Sequence, residues 1–207
     1  MIYLFDDYVE KYQNTFSYIL GRAIEEKYSF DYIEKTIAYS QICFELEHSN
    51  ITTIAFSSSE RIYSSIFPLK DNLIDINIYG PYGWIGYIYV RLFLDLKTTF
   101  EFLFYLLPIE EALSCYKLYH EMDYSQMFMH VKEKIKYSHL DTVMSAKGIS
   151  NSKLSVLSDI SIATINALRY NKRDFDKLEV KKANQIATTL HVKIETLLKE
   201  LSLRFSE

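Results

Sequence analysis

Two serines, Ser150 and Ser161, set the tightest limit on what this 207-residue chain can fold into. Each stands directly before a short segment of helical spacing. Serine is a favoured N-cap, because its hydroxyl oxygen accepts from an otherwise orphaned backbone N–H. After Ser150, Leu154 and Leu157 give one segment an apolar face; after Ser161, Ile165 and Leu168 give the other theirs. Only Asp159-Ile160-Ser161 lies between them, enough for a tight turn. The segment 147–170 therefore predicts two short helices, the second from Ile162 to about Tyr170, joined by three or four residues.

The remainder reads as helical too. Phe5, Tyr8, Val9, Tyr12, Phe16, Ile19, Leu20 and Ala23 recur at helical spacing over 4–25. Asp31–Glu47 predicts a second helix, with Ile33, Ile37 and Phe44 on one face and Tyr32, Tyr39, Cys43 and Leu46 on an adjacent one. Ile51–Phe56 is ambiguous. Ser57-Ser58-Ser59-Glu60 predicts a helix start, and that helix ends before Pro68. Leu73–Tyr79 alternates, as a short strand or an extended loop does. Gly80-Pro81-Tyr82-Gly83 predicts a turn. An aromatic-rich helix is expected over Trp84–Leu106, then one that Pro108 opens as its first residue. Asp123 is expected to cap another, over about Tyr124–Lys136. The fold class is mainly α: an N-terminal helical domain, 1–137, with at most one short β element, then a C-terminal helical bundle, 138–207.

The stretch from Lys147 to Ser161, with the helix after it, resembles the helix-turn-helix family of Cro and the lambdoid phage repressors. The resemblance covers about 139–199. Asn171-Lys172-Arg173 stands where the family's loop usually reads Gly-Lys, and Asn tolerates the left-handed conformation Gly takes there. Leu178, Ala183, Ile186, Ala187, Leu190, Val192 and Leu197 match the apolar positions of the last two helices, and His191-Val192 replaces a common Gly-Val. Four positions depart from the pattern. Asn151 stands for the usual Gln, Ser155 for a small residue, Asp159 for the turn Gly and Arg169 for a Glu.

The resemblance implies binding to double-stranded DNA, and with it a set of contacts. Ile162, Ala163 and Ala167 would face base edges, with Thr164 and Asn166 nearby. Small and branched apolar side chains reach thymine methyls, and Asn166 is the hydrogen-bonding candidate for adenine. Asn151 and Ser161 would touch phosphate, and Lys172 and Arg173 would lie along the backbone. Charge agrees: residues 138–207 hold eleven Lys/Arg against eight Asp/Glu, whereas 1–137 hold twelve against nineteen. Nucleic acid prefers the former surface and is repelled by the latter.

The acidic part holds 17 of the 18 tyrosines and the only tryptophan. Most are expected in the core and the rest at an interface, where aromatics are enriched. The sequence thus predicts a dimeric transcriptional regulator, a repressor, whose N-terminal part joins two copies or binds a second protein. The alternative is an antitoxin whose N-terminal part neutralises a toxin while its C-terminal part represses their operon.

Other classes find little support. Tyr119-His120-Glu121-Met122-Asp123 with His130 is the richest polar cluster, but Tyr124 spoils the His-Glu-x-x-His zinc pattern. Gly80, Gly83 and Gly86 lack a following Lys-Ser/Thr, and Ser57–Ser59 have no nearby His. No enzymatic activity, metal or cofactor is expected. Cys43 and Cys115 are two isolated cysteines, which fits a reducing, cytoplasmic compartment. The N-terminus has no positive region preceding an apolar run. The apolar stretch Trp84–Leu107 carries Arg91, Asp95, Lys97 and Glu101, so a buried segment is expected and not a membrane span.

Overall fold

In the computed structural model the chain forms thirteen α-helices and two 3-10 turns, with no strand among the described residues. Those are 2–68, 76–77 and 79–201, with side chains from Tyr8 onward within the first helix. Helix α1 (Ile2–Glu25) buries Tyr12, Phe16, Ile19, Leu20 and Ala23, as its spacing predicts. It packs along α6 (Pro81–Leu96). The approach is close at Gly86, where a Cβ would lie 2.2 Å from Ser17 Oγ and 2.5 Å from Ser17 N. The Ser17 hydroxyl is satisfied at this contact by donating to Gln13 O at 2.7 Å and Gly83 O at 3.2 Å. Segment 80–83 is therefore no turn. Gly80 is the N-cap of α6 and Pro81 opens it, where proline's missing N–H costs nothing.

Hydroxyl side chains break two expected helices. Asp31–Glu47 divides into α2 (Phe30–Ala38) and α3 (Gln41–Glu47), because Ser40 caps a new helix by accepting from Cys43 N. The restart shifts the phase. Ile33 and Ile37 are buried in α2 and Ile42, Cys43 and Leu46 in α3, while Phe44 is 53% exposed. The ambiguous segment after it is α4 (Thr52–Phe56), and Ser58 caps α5 (Ser59–Ile66), which stops before Pro68. The alternating run Leu73–Tyr79 lies largely outside the described residues. Trp84–Leu106 divides likewise: α6 ends at Lys97 in the left-handed region (φ 48°), and Thr99 caps α7 (Phe100–Leu106). Pro108 is the N-cap of α8 (Ile109–Tyr119) and not its first residue. Asp123 caps α9 (Tyr124–Lys132) by accepting from Ser125 N at 2.8 Å, and that helix ends short of Lys136.

The last six elements are α10 (His139–Ala146), α11 (Asn151–Ser158), α12 (Ile162–Arg169), a 3-10 turn over Phe175–Lys177, α13 (Val180–Leu190) and a second 3-10 turn over Ile194–Leu197. The expected apolar positions Leu178, Ala183, Ile186, Ala187, Leu190, Val192 and Leu197 are all buried. Leu157 is not: it is 58% exposed. The inward stripe of α11 is Leu154 and Ser158, the latter donating to Leu154 O at 2.7 Å.

Helix α7 packs against α2, α10 and the 194–197 turn. Buried Glu101 sits at that meeting. It accepts from Tyr39 Oη at 2.9 Å, Lys193 N at 2.9 Å and Thr196 Oγ1 at 2.6 Å. Glu47 accepts from Phe100 N at 3.0 Å and pairs with Lys193 Nζ at 2.7 Å. No described helix is long and apolar enough to cross a membrane.

Candidate nucleic-acid interface

Short helices are marginal alone, so the C-terminal module depends on its caps and packing. Ser138 serves two helices. It accepts from Asp141 N at 3.1 Å to cap α10, and it donates to Arg169 O at 2.8 Å, the last carbonyl of α12. Ser150 caps α11 by accepting from Lys153 N at 3.2 Å, and Ser161 caps α12 by accepting from Thr164 N at 3.3 Å. Asp159 takes the left-handed conformation (φ 54°) the turn requires, as Asn171 (φ 54°) does after α12 and His191 (φ 52°) after α13. Ser155 donates to Ile160 O at 2.6 Å and so fixes the turn from inside. Leu154, Ile165 and Leu168 are buried together beneath it. Ser155 and Asp159 thus keep α11 and α12 joined by a tight turn.

The outward face of α12 begins with Ser161, Ile162 and Ala163, all exposed, Ile162 at 46%. Thr164, Asn166 and Ala167 are half-buried along the same helix. Lys172 N and Arg173 N both donate to Ala167 O, at 2.8 and 3.1 Å, which folds the basic loop back against the end of α12. Four other cations of the module are paired, whereas Lys153, Lys181 and Lys199, outside this loop, are exposed without an ion pair among the described residues. Lys177, Lys182, Lys193 and Arg169 pair with Asp174, Glu179, Glu47 and Asp141. Lys172 and Arg173 are exposed and form no ion pair among the described residues.

A polar chain runs behind this face. Arg169 Nε reaches Asp141 Oδ1 at 2.6 Å, Arg169 Nη1 reaches Asn151 Oδ1, and Asn151 Nδ2 reaches Asn166 Oδ1. The order of atoms follows from chemistry. A guanidinium only donates, so the Asn151 atom facing it is the oxygen. The Asn151 amide then donates to Asn166, which leaves Asn166 Nδ2 without a hydrogen-bond partner among the described residues. Bidentate adenine recognition uses the amide oxygen and nitrogen together, so Asn166 Oδ1 must accept a second hydrogen bond or release Asn151.

The structure brings Ser161, Ile162, Ala163, Thr164, Asn166, Ala167, Lys172 and Arg173 onto one helix and the loop that ends it, with Asn151 joined to them through Asn166. Sequence reasoning missed the roles of Asp141 and Arg169. The signal was present: Asp141 lies between Leu140 and Val143-Met144, all inward positions, so its carboxylate needed a buried cation.

Residues 139–199 match the family model of the Cro/C1-type HTH DNA-binding domain, a little under a third of the chain. No curated protein and no solved structure matches the chain. The family match supports a DNA-binding transcription regulator.

Proposed function

We propose that the chain is a sequence-specific, dimeric repressor that lays α12 in the DNA major groove and rests Lys172 and Arg173 on the phosphate backbone. The observation that carries this reading is the placement of two exposed, unpaired cations at the end of a helix whose exposed first turn has no acidic residue. Ile162, Ala163 and Ala167 offer methyl contacts and few hydrogen bonds, so the operator is expected to be A·T-rich. Dimerisation follows from size. An eight-residue recognition helix covers one half-site, and this mode of binding reads two half-sites about one helical turn apart. We assign the second contact to residues 1–137, where Phe56 is 83% exposed and Tyr39 and Phe44 more than half exposed. The same aromatics suit a second protein, as an antitoxin requires, and light scattering of the purified chain alone and with co-expressed neighbours separates the two.

The test of DNA binding is its salt dependence. Lys172→Ala and Arg173→Ala should each weaken binding to every duplex and reduce the slope of log K against log salt by about 0.9. Fluorescence anisotropy on a selected operator and on random duplex measures both. An unchanged slope in the double variant removes this loop from the backbone, and absence of any selected sequence removes the specificity.

A further inference from the structure

The cluster that sequence analysis singled out, around His120 and His130, does not assemble as written. His120 ends α8, with its Nδ1 2.8 Å from Tyr116 O and its ring stacked on Tyr116. His130 takes a different partner. Glu111 and Cys115 lie four residues apart on one face of α8, and His130 comes from α9, which packs against it. A carboxylate oxygen of Glu111, Sγ of Cys115 and a ring nitrogen of His130 all lie within 4.8 Å of one another. We propose that Glu111, Cys115 and His130 form a binding site for a borderline-soft divalent cation, zinc by preference, independent of the DNA-facing surface.

The donor set fits that chemistry. One thiolate, one imidazole and one carboxylate suit zinc and cobalt, and exclude calcium and magnesium, which take oxygen. Three protein ligands leave the fourth tetrahedral position to water. All three residues are half-buried, so a hydrated ion can reach them. His130 Nε2 and Glu111 Oε1 stand 3.4 Å apart, about the spacing of two ligands in a tetrahedral zinc shell, and Cys115 Sγ is within reach of both.

The surroundings already prepare one of the three ligands, Glu111. Lys134 Nζ and His130 Nε2 both meet Glu111 at Oε1, leaving Oε2 without a hydrogen bond among the described residues. Burial pushes the Glu111 carboxyl up, but Lys134 and His130 outweigh it and hold the group below its ordinary range. Glu111 is therefore ionised at neutral pH, and Lys134, also bonded to Leu106 O at 2.8 Å, can stay on Oε1 as an outer support. Burial and the Glu111 charge, only partly offset by Lys134, hold the Cys115 thiol above its ordinary range, so the metal itself must displace the proton. Binding replaces the Cys115 proton with the metal and releases that proton to solvent. The neutral assembly of Zn²⁺ with one carboxylate and one thiolate then sits beside the Lys134 ammonium. The bound ion would clip α8 to α9, the helix that leads into Ser138 and the C-terminal module.

Cobalt(II) titration of the full-length, reduced protein tests the site directly. One equivalent should bind with a near-ultraviolet thiolate-to-cobalt charge-transfer band and the intense visible bands of a four-coordinate ion, and zinc should displace it. Cys115→Ser should abolish the charge-transfer band. His130→Gln and Glu111→Gln should weaken binding by more than the roughly 10–100-fold that outer-shell changes cost. Cys43→Ala is the control: Cys43 is fully buried elsewhere in the core, so the band should persist. Circular dichroism of each variant checks that the helices remain. Failure to bind stoichiometric cobalt overturns the proposal. So does a band that survives Cys115→Ser in the folded variant, or one that disappears in folded Cys43→Ala.

Discussion

The regions on either side of Ser138 are held together in different ways. In the first, ring packing dominates: Phe100 stacks on Phe16 at 4.6 Å and on Phe93 at 4.8 Å, joining α1, α6 and α7 through one side chain. In the second, the core is aliphatic and small, and order comes from serine caps, left-handed turn residues and the Asp141–Arg169–Asn151–Asn166 chain. A core of large rings tolerates variation in which face a helix presents. A small core with short helices does not, so each helix end is fixed locally. The two meet in buried carboxylates: Glu47 and Glu101 of the first region hold the Lys193–Thr196 segment of the second. The DNA-facing helices therefore rest on a platform supplied by the aromatic region.

The largest effect should come from breaking that joint. Glu101→Ala leaves the Lys193 N–H, the Thr196 hydroxyl and the Tyr39 hydroxyl without their acceptor. Each buried donor left without its acceptor costs about 1–3 kcal/mol. Trp84, the only tryptophan, reports on the first region alone, whereas circular dichroism reports on all helices. In the native protein the two urea transitions should coincide. In Glu101→Ala the dichroism should begin to fall before Trp84 fluorescence changes. Coincident transitions with a loss under about 1 kcal/mol would show that the joint carries little.

Acid should open the same boundary. His139 begins α10, stacks on Phe102 of α7 at 3.7 Å and is buried. Burial lowers its pKa to about 4, against the backbone of Thr196, which favours the charged form. The unfolded imidazole titrates near 6.5, so the group contributes its full stability above that pH. The contribution falls as pH drops from about 6.5 towards about 4, by roughly 3 kcal/mol in total. His139→Phe should flatten this part of the stability–pH curve. An unchanged slope would assign the acid sensitivity to other groups.

How legible each region was in the sequence follows from the same contrast. Ser150, Ser161, Asp159 and Asn171 act on their immediate neighbours, so the helix ends of the C-terminal module could be read position by position. The breaks at Ser40 and Thr99 were missed because each sits inside an unbroken run of helical spacing, and a hydroxyl there can cap or simply be carried along. The Gly80–Gly83 turn was misread because Gly83 and Gly86 serve the contact with α1, which no local pattern reveals. Leu157 was placed inward because its spacing from Leu154 is as helical as that of Ser158. At the candidate interface the exposed residues were readable, and so was the need of Asp141 for a cation, but not which cation meets it. Asp141 and Arg169 are 28 positions apart and meet only after three helices have packed.

That chain offers a smaller test. Arg169→Met leaves the Asp141 side chain, only 4% exposed, without its cation, for about 2 kcal/mol. Asp141→Asn combined with Arg169→Gln replaces the ion pair with a neutral one and should recover much of the loss. If the single and double variants are equally unstable, the pair is not the source. A DNA affinity that falls further than stability accounts for would show that Arg169 also aligns Asn151 and Asn166.

The smallest effect concerns base reading. Asn166 Nδ2 has no hydrogen-bond partner among the described residues, while its oxygen is held by Asn151. A single donor meets guanine N7 or O6, or thymine O4, as readily as adenine N7, so its discrimination should be weak. Asn166→Ala is expected to cost about 1 kcal/mol at one position of the operator, the value of one hydrogen bond, with the other positions unchanged. A bidentate adenine contact would instead cost about 1–3 kcal/mol and select adenine sharply. Binding-site selection with the native protein, Asn166→Ala and Asn151→Ala separates the cases. If Asn151 restrains the amide, Asn151→Ala should sharpen the preference for adenine, because both Asn166 atoms then become free. A G·C-rich core selected by the native protein, or an identical preference at every position in Asn166→Ala, would remove Asn166 from the reading face and leave the apolar first turn of α12 as the only source of sequence choice on that helix.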